Sequence, residues 1–320
     1  MPRRILVPLD GSALADRAVG PAAAIARRTD AELHLVSVHH SAAAALLAMG
    51  AAVAVAAASE ELDRAQCREL TAHLERTRRA LDLPPDHAVR TEVLDGGAPV
   101  PEQLDAYAAA NSIDLVVMTT HGRGAIGRFL IGSVAEGLLR RSTRPCLVLR
   151  AESATPAAAR AAFHRVLVPL DGSPEAERAI DAALDLMPAS SAGADLPELL
   201  LGRVIVPLPW LAPDVLPHGG PDWTGGALAV QREIATQYLD AAVARLQDRG
   251  IRARGIVTVG ASPAGAILDL ATGEAVDLIA MAARARGGAD RFLLGSVMDR
   301  VVRGASVPTL VARGGELGAR

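Results

Sequence analysis

Two short segments carry residues that could handle phosphate. Asp10-Gly11-Ser12 follows the apolar run Ile5-Leu6-Val7-Pro8-Leu9. Thr119-Thr120-His121-Gly122-Arg123-Gly124-Ala125-Ile126-Gly127 follows Leu115-Val116-Val117-Met118 and runs on to Gly132-Ser133. Between Thr119 and Ser133 lie four glycines, Gly122, Gly124, Gly127 and Gly132. Glycine lets backbone N–H groups turn toward an anion with no Cβ in the way. Gly132-Ser133 stands where the next helix should begin, so its unpaired N–H groups and the helix dipole favour a polyphosphate there. Each part also has a plainer reading. Gly132-Ser133 alone is an ordinary helix cap, and Asp10-Gly11-Ser12 alone is a strand-to-helix turn in which Asp or Ser caps the helix. His121 has no acid or nucleophile placed beside it. His39 and His40 adjoin a strand, where neighbouring side chains point to opposite faces, so they make a poor metal pair.

The segments gain weight because they recur. Ile5-Leu-Val-Pro-Leu-Asp-Gly-Ser12 returns as Val166-Leu-Val-Pro-Leu-Asp-Gly-Ser173, and Arg128-Phe-Leu-Ile-Gly-Ser-Val134 returns as Arg291-Phe-Leu-Leu-Gly-Ser-Val297. Nearly equal offsets separate the two pairs, so the chain is an internal repeat. We expect one domain over 1–150, an alanine-rich linker over 151–162 and a second domain over 163–320. The 320 residues suit two domains at about 100–200 residues each.

The elements that must position these segments follow from patterning. Short β-branched and leucine runs alternate with longer helical stretches, the signature of βαβ units and a parallel sheet. Strands are expected near 4–9, 32–38, 88–94, 113–119 and 145–150, with helices near 14–28, 60–81, 100–110 and 132–141. The second half repeats the strands near 165–170, 199–206, 252–259, 276–282 and 308–313. Strands apolar on both faces, such as Ile113-Asp-Leu-Val-Val-Met118, call for helices on each side. Ligands of such sheets bind beyond the carboxyl ends of the strands, where strand order reverses.

An acid after the first strand, a glycine-rich loop after the fourth and a Gly-Ser at a helix start, all duplicated, closely resemble the universal stress protein family over nearly all of both halves. The resemblance implies an α/β fold of two tandem Rossmann-like domains. Each would be a five-stranded parallel sheet in the order 3-2-1-4-5 with helices on both faces. ATP-binding members carry Gly-x2-Gly-x9-Gly-Ser or Gly-Thr. Here Thr119 stands at the first glycine, followed by Gly122, Gly132 and Ser133. By the same resemblance Asp10 meets the ribose or a phosphate-bound Mg2+, Val38 meets adenine through its backbone, and Val134 donates a further N–H to the phosphates. In the second half Asp171, Gly295, Ser296 and Val297 match, but Ala282 and Ala285 replace the two earlier glycines. The second site is therefore expected to be weaker or empty, unless Arg284 and Arg286 supply phosphate contacts from their side chains. The last strands, near 145–150 and 308–313, should pair the halves as an internal pseudo-dimer, with a further homodimer allowed.

Composition bounds the remaining classes. With 33 basic and 36 acidic residues the formal charge is −3, which lacks the basic excess a nucleic-acid backbone binder needs. The two cysteines, Cys67 and Cys146, form no metal-ligand or disulfide pattern, and fit a reducing cytoplasm. The uncharged run Ala42–Ala58 is mostly alanine and falls short of a bilayer span. It is expected to be a loop or helix packed on the domain, and it is a candidate contact surface, as is the loop of Trp210 and Trp223. No GxxxxGK[ST] lysine or water-positioning base is present, so ATP is expected to be held, not turned over quickly. Three functions stand. The first is an ATP-binding stress regulator, which would need a regulatory protein partner as yet unidentified. The others are a slow ATPase or nucleotidyl-transfer enzyme and a nucleotide-free interaction scaffold.

Overall fold

The computed structural model of the chain describes residues 1–39, 41, 53–120, 131–150, 163–188, 196–207, 223–283 and 294–313. In the first half the strands are β1 (Arg4–Pro8), β2 (Glu32–His39), β3 (Val89–Asp95), β4 (Leu115–Thr119) and β5 (Cys146–Leu149). The helices are α1 (Val19–Thr29), α2 (Val53–Arg79), α3 (Val100–Ala110) and α4 (Ser133–Arg141). The second half has β6 (Arg165–Pro169), β7 (Glu198–Ile205), β8 (Ala253–Val259), β9 (Leu278–Ala282) and β10 (Thr309–Ala312). Its helices are α5 (Pro174–Leu186), α6 (Trp223–Gln247), α7 (Pro263–Gly273) and α8 (Ser296–Gly304).

Within each half the sheet is parallel and runs 3-2-1-4-5, as expected. The halves are not separate sheets, however. Strands β5 and β10 pair antiparallel, Leu310 opposite Leu147 and Val311 opposite Cys146, and give one ten-stranded sheet in the order β3-β2-β1-β4-β5-β10-β9-β6-β7-β8. The expected pairing of the two last strands is thus present. The seam is buried and mostly apolar: Cys146, Leu147, Val148, Leu310 and Val311 are all at most 2% exposed, as is Thr309. Burial pushes the Cys146 thiol up to about 11, far from the thiolate range of a reactive cysteine.

Alternation of side chains across the sheet makes two cores. Ile5, Val7, Leu33, Leu35, Leu199 and Leu201 pack on the face carrying α1, α2, α5 and α6. Leu6, Val36, Val116, Leu200 and Ile279 pack on the opposite face, beneath α3, α4, α7 and α8. Phe163, fully buried, closes the first core at the start of the second half. The strand ends fall within two residues of the sequence reading, and the central strands, apolar runs buried on both faces, have sharp limits.

Two helix starts differ from expectation. The segment expected to enter one helix from residue 14 opens as a 3-10 turn, Ala15–Ala18, before α1. Pro21 explains this, since it has no N–H to give the Arg17 carbonyl. Helix α2 begins at Val53, earlier than the expected 60, because four of the six residues of Val53–Ala58 are alanine, the best helix former. The rest of the Ala42–Ala58 run lies outside the described residues, as does Trp210. Among the described residues no helix is long and apolar enough to cross a membrane.

Candidate functional site

The carboxyl ends of β1 and β4 lie side by side, because β1 pairs β2 on one flank and β4 on the other. That is the point where strand order reverses. Pro8 is level with Val36, and the Leu9 N–H donates to the Val36 carbonyl at 2.8 Å, so the ladder carries Asp10 alongside Val38. The β1–β4 register, Leu6 opposite Val116, carries Asp10 alongside Thr120 by the same step. Chain segments that are far apart in sequence therefore meet at one rim.

Asp10 is half-buried, and its Oδ1 accepts the Ser12 N–H at 2.9 Å, while Ser12 Oγ accepts the Ala15 N–H at 3.1 Å. The turn requires glycine between them: Gly11 sits at φ 76°, where a Cβ would cost roughly 1 kcal/mol. The second half repeats this turn. Asp171 Oδ1 accepts the Ser173 N–H at 3.0 Å, Gly172 sits at φ 85°, and Ser173 Oγ caps α5 by accepting the Ala176 N–H. The plainer capping reading of Asp-Gly-Ser is thus realised in both halves. Asp171 is the more exposed of the two.

Thr119 ends β4 and is 9% exposed. Gly132 is the N-cap residue of α4 at φ −61°, and Ser133 opens the helix, exposed, with Val134 half-buried behind it. Gly295, Ser296 and Val297 stand likewise at α8, with Gly295 at φ −58°. One expectation changes here. The Gly132 N–H donates to the Thr120 carbonyl, so that group is committed to closing the loop and not to an anion. Neither glycine occupies the left-handed region, and a Cβ at Gly295 would meet nothing within 4 Å. The N–H groups of the first turn of α4, from Ser133 and Val134 on, have no partner within the helix. Gly122, His121, Arg284, Ala285 and Arg286 lie outside the described residues. Ala282 ends β9.

Sequence reasoning missed the polar cluster beside Val38. His39 is 2% exposed, with Nδ1 3.4 Å from Asp95 Oδ1 and Nε2 3.7 Å from Asp63 Oδ1, and Ser41 Oγ donates to Asp63 Oδ2 at 2.6 Å. Burial, then the carboxylates of Asp95 and Asp63, hold the nearby Cys67 thiol above its ordinary range. His39 was visible in the sequence, but its partners come from α2 and β3, and no local spacing announces them. Among the described residues no group of three or more His, Cys, Asp or Glu side chains could hold a metal ion.

The arrangement at the strand ends can now be set beside known proteins. A family model described as the Universal stress protein family matches residues 1–150 and again 162–313. The chain belongs to the universal stress protein family. A universal stress protein of Mycolicibacterium smegmatis is 33% identical over 212 residues, 64% of this chain and 63% of that one. One from Mycobacterium tuberculosis is 31% identical over 222 residues, 67% of this chain and 66% of that one. The matched stretch thus spans less than two thirds of the length of either relative. Among solved structures, a universal stress protein from Archaeoglobus fulgidus covers 98% of this chain and 99% of its own at a TM-score of 0.63 and 19% identity. A functionally unknown protein from Pseudomonas aeruginosa covers 98% of this chain at a TM-score of 0.60 and 16% identity. At that identity the likeness is one of fold, and it extends across both halves.

Proposed function

We infer that this universal stress protein binds ATP, with Mg2+, in its first half and acts as a nucleotide-dependent stress regulator in the cytoplasm, with little or no hydrolysis. The observation that carries the reading is the convergence of Asp10, Val38 and the α4 N-terminus at the β1–β4 switch point. On this reading the Val38 backbone meets adenine, and Asp10 meets the ribose or the Mg2+. Thr119 lies under the sugar, and Gly122, Gly132, Ser133 and Val134 surround the phosphates. Asp171, Gly295, Ser296 and Val297 form a weaker counterpart. The seam between the halves serves as the pseudo-dimer contact, and ATP occupancy is sensed by a protein partner or by a homodimer.

The residues present favour holding over turnover. Ground-state and transition-state phosphates would meet the same N–H groups, and only differential binding accelerates a reaction. The alternatives, a slow ATPase or nucleotidyl-transfer enzyme and a nucleotide-free scaffold, are separated by one set of measurements. Calorimetric titration of ATP with Mg2+ should give binding to the full chain that Gly132→Val abolishes. The φ of −61° accepts valine, so the fold should survive while the new side chain fills the space beside the phosphates. Unchanged affinity in Gly132→Val would overturn the site. ADP release on the order of 1 per second would favour the enzyme.

A further inference from the structure

The two halves share a backbone but differ in what they place where the second strand ends. Pro8 pairs with Val36 and Pro169 with Gly202, so Ser37 corresponds to Arg203 and His39 to Ile205. In the first half this corner is polar and filled, by His39 between Asp63 and Asp95. In the second half it is open. A groove of about 410 Å³ lies between Gly172, the end of β7 and helix α6. Its floor and walls are largely apolar, with Ile205, Val206, Ile234 and Ala235, and Tyr238 at one side. That volume falls within the range of about 300–1,000 Å³ usual for small-ligand pockets.

Two features say what would occupy it. Ile234 is 61% exposed and Val206 39% exposed, so an apolar surface faces open space at the mouth. Arg203, half-buried in the wall, makes one hydrogen bond, from Nη1 to the Leu170 carbonyl at 3.3 Å, and among the described residues no carboxylate pairs with it. A half-buried guanidinium with no carboxylate paired to it, beside an apolar groove, can take up a carboxylate head. The neighbouring acid, Glu177, is already engaged by the Tyr238 hydroxyl at 2.8 Å and by Arg245 at 3.0 Å.

We propose that this second-half groove binds a small amphipathic carboxylate, its head on Arg203 and its chain or ring along Ile205, Val206 and Ile234. A polyphosphate fits poorly, since one guanidinium faces the groove and the Glu177 carboxylate lies close behind Tyr238. The ligand is therefore chemically distinct from ATP, although the groove adjoins the second-half counterpart of the nucleotide site: Gly172 follows Asp171, and Val204, the counterpart of Val38, also lines the groove.

Sodium decanoate is the probe, titrated calorimetrically into the full chain, with decyltrimethylammonium as the control of opposite head charge. Decanoate should saturate a single class of site and bind about tenfold or more tighter than the cation. Arg203→Gln should weaken decanoate by a similar factor. Ile234→Glu, at a position too exposed to threaten the fold, should weaken it independently. ATP should not displace it. Absence of saturable binding would overturn the proposal, as would equal binding of both head charges or affinity unchanged in both variants. Competition by ATP would also overturn it, by making the groove part of a nucleotide site.

Discussion

Gly137→Ala tests how rigidly α4 is held over the candidate site. Gly137 lies in the middle of α4, where a Cβ would fall well inside contact distance of Pro101 Cγ and 2.7 Å from Pro101 Cβ on α3. The proline ring cannot rotate away, so the helices must part by about 1 Å to restore ordinary carbon contacts of roughly 3.5–4.0 Å. Two effects oppose each other. Alanine gains about 1 kcal/mol over glycine inside a helix, and overpacking of this kind costs about 1–3 kcal/mol. With a rigid neighbour the cost lies in the upper part of its range, which leaves a net loss of about 1–2 kcal/mol. At about 2–4 °C per kcal/mol for a unit of this size, Tm should fall by roughly 2–8 °C in scanning calorimetry. Gly20→Ala in α1 is the control. Nothing lies within 4 Å of its added Cβ, so it should not lower Tm. Because α4 presents Ser133 and Val134 at its first turn, Gly137→Ala should also weaken ATP binding without touching the site. A Tm within about 1 °C of the unaltered protein would refute the steric argument.

Other expectations follow from burial and charge. Phe163, fully buried in the first core, should cost about 3–5 kcal/mol when cut to alanine, read as a loss of stability in urea. Leu310→Asp would place an unpaired carboxylate in the seam opposite Leu147, and should split thermal unfolding into two transitions as the halves uncouple. A single unshifted transition would count against the seam. His34 is 1% exposed with Nδ1 2.8 Å from the Tyr107 hydroxyl, and burial lowers its pKa from 6.5 against a smaller opposing pull from Glu32. The unfolded chain thus takes up a proton that the folded one resists. The contribution is complete above about pH 6.5 and is lost as pH falls toward the lowered value, at up to ~1.4 kcal/mol per pH unit. The stability advantage of the unaltered protein over His34→Gln should shrink between about pH 7.5 and 5.5.

Much of the architecture was legible because its signals are local and repeated. Val7-Pro8-Leu9-Asp10-Gly11-Ser12 shows its strand end, its turn and its cap in one stretch, and its copy at Val168–Ser173 confirms each. Helix α1 was less legible, since Pro21 redirects the preceding turn from within a helix-like pattern. The least legible features are those assembled across the sheet. His39 finds Asp63 and Asp95, and Arg203 finds a carbonyl from Leu170, only after three elements have docked. The correspondence of Ser37 with Arg203 also needs the register, since the repeated motifs stop short of the second strand.

The antiparallel joining of β5 to β10 has a consequence for how the two halves could change. Had two identical halves met through this strand, two-fold symmetry would have placed every residue of the contact twice, so that each change had to suit its own copy. Here Cys146 faces Val311 and Val148 faces Thr309, pairs that need only complement one another. The covalent link between the halves also makes the encounter unimolecular, so dilution does not part them. Each half is thereby released from the demand of matching itself. A polar corner around His39 and an open, arginine-bearing one at Arg203 can then coexist in a single molecule.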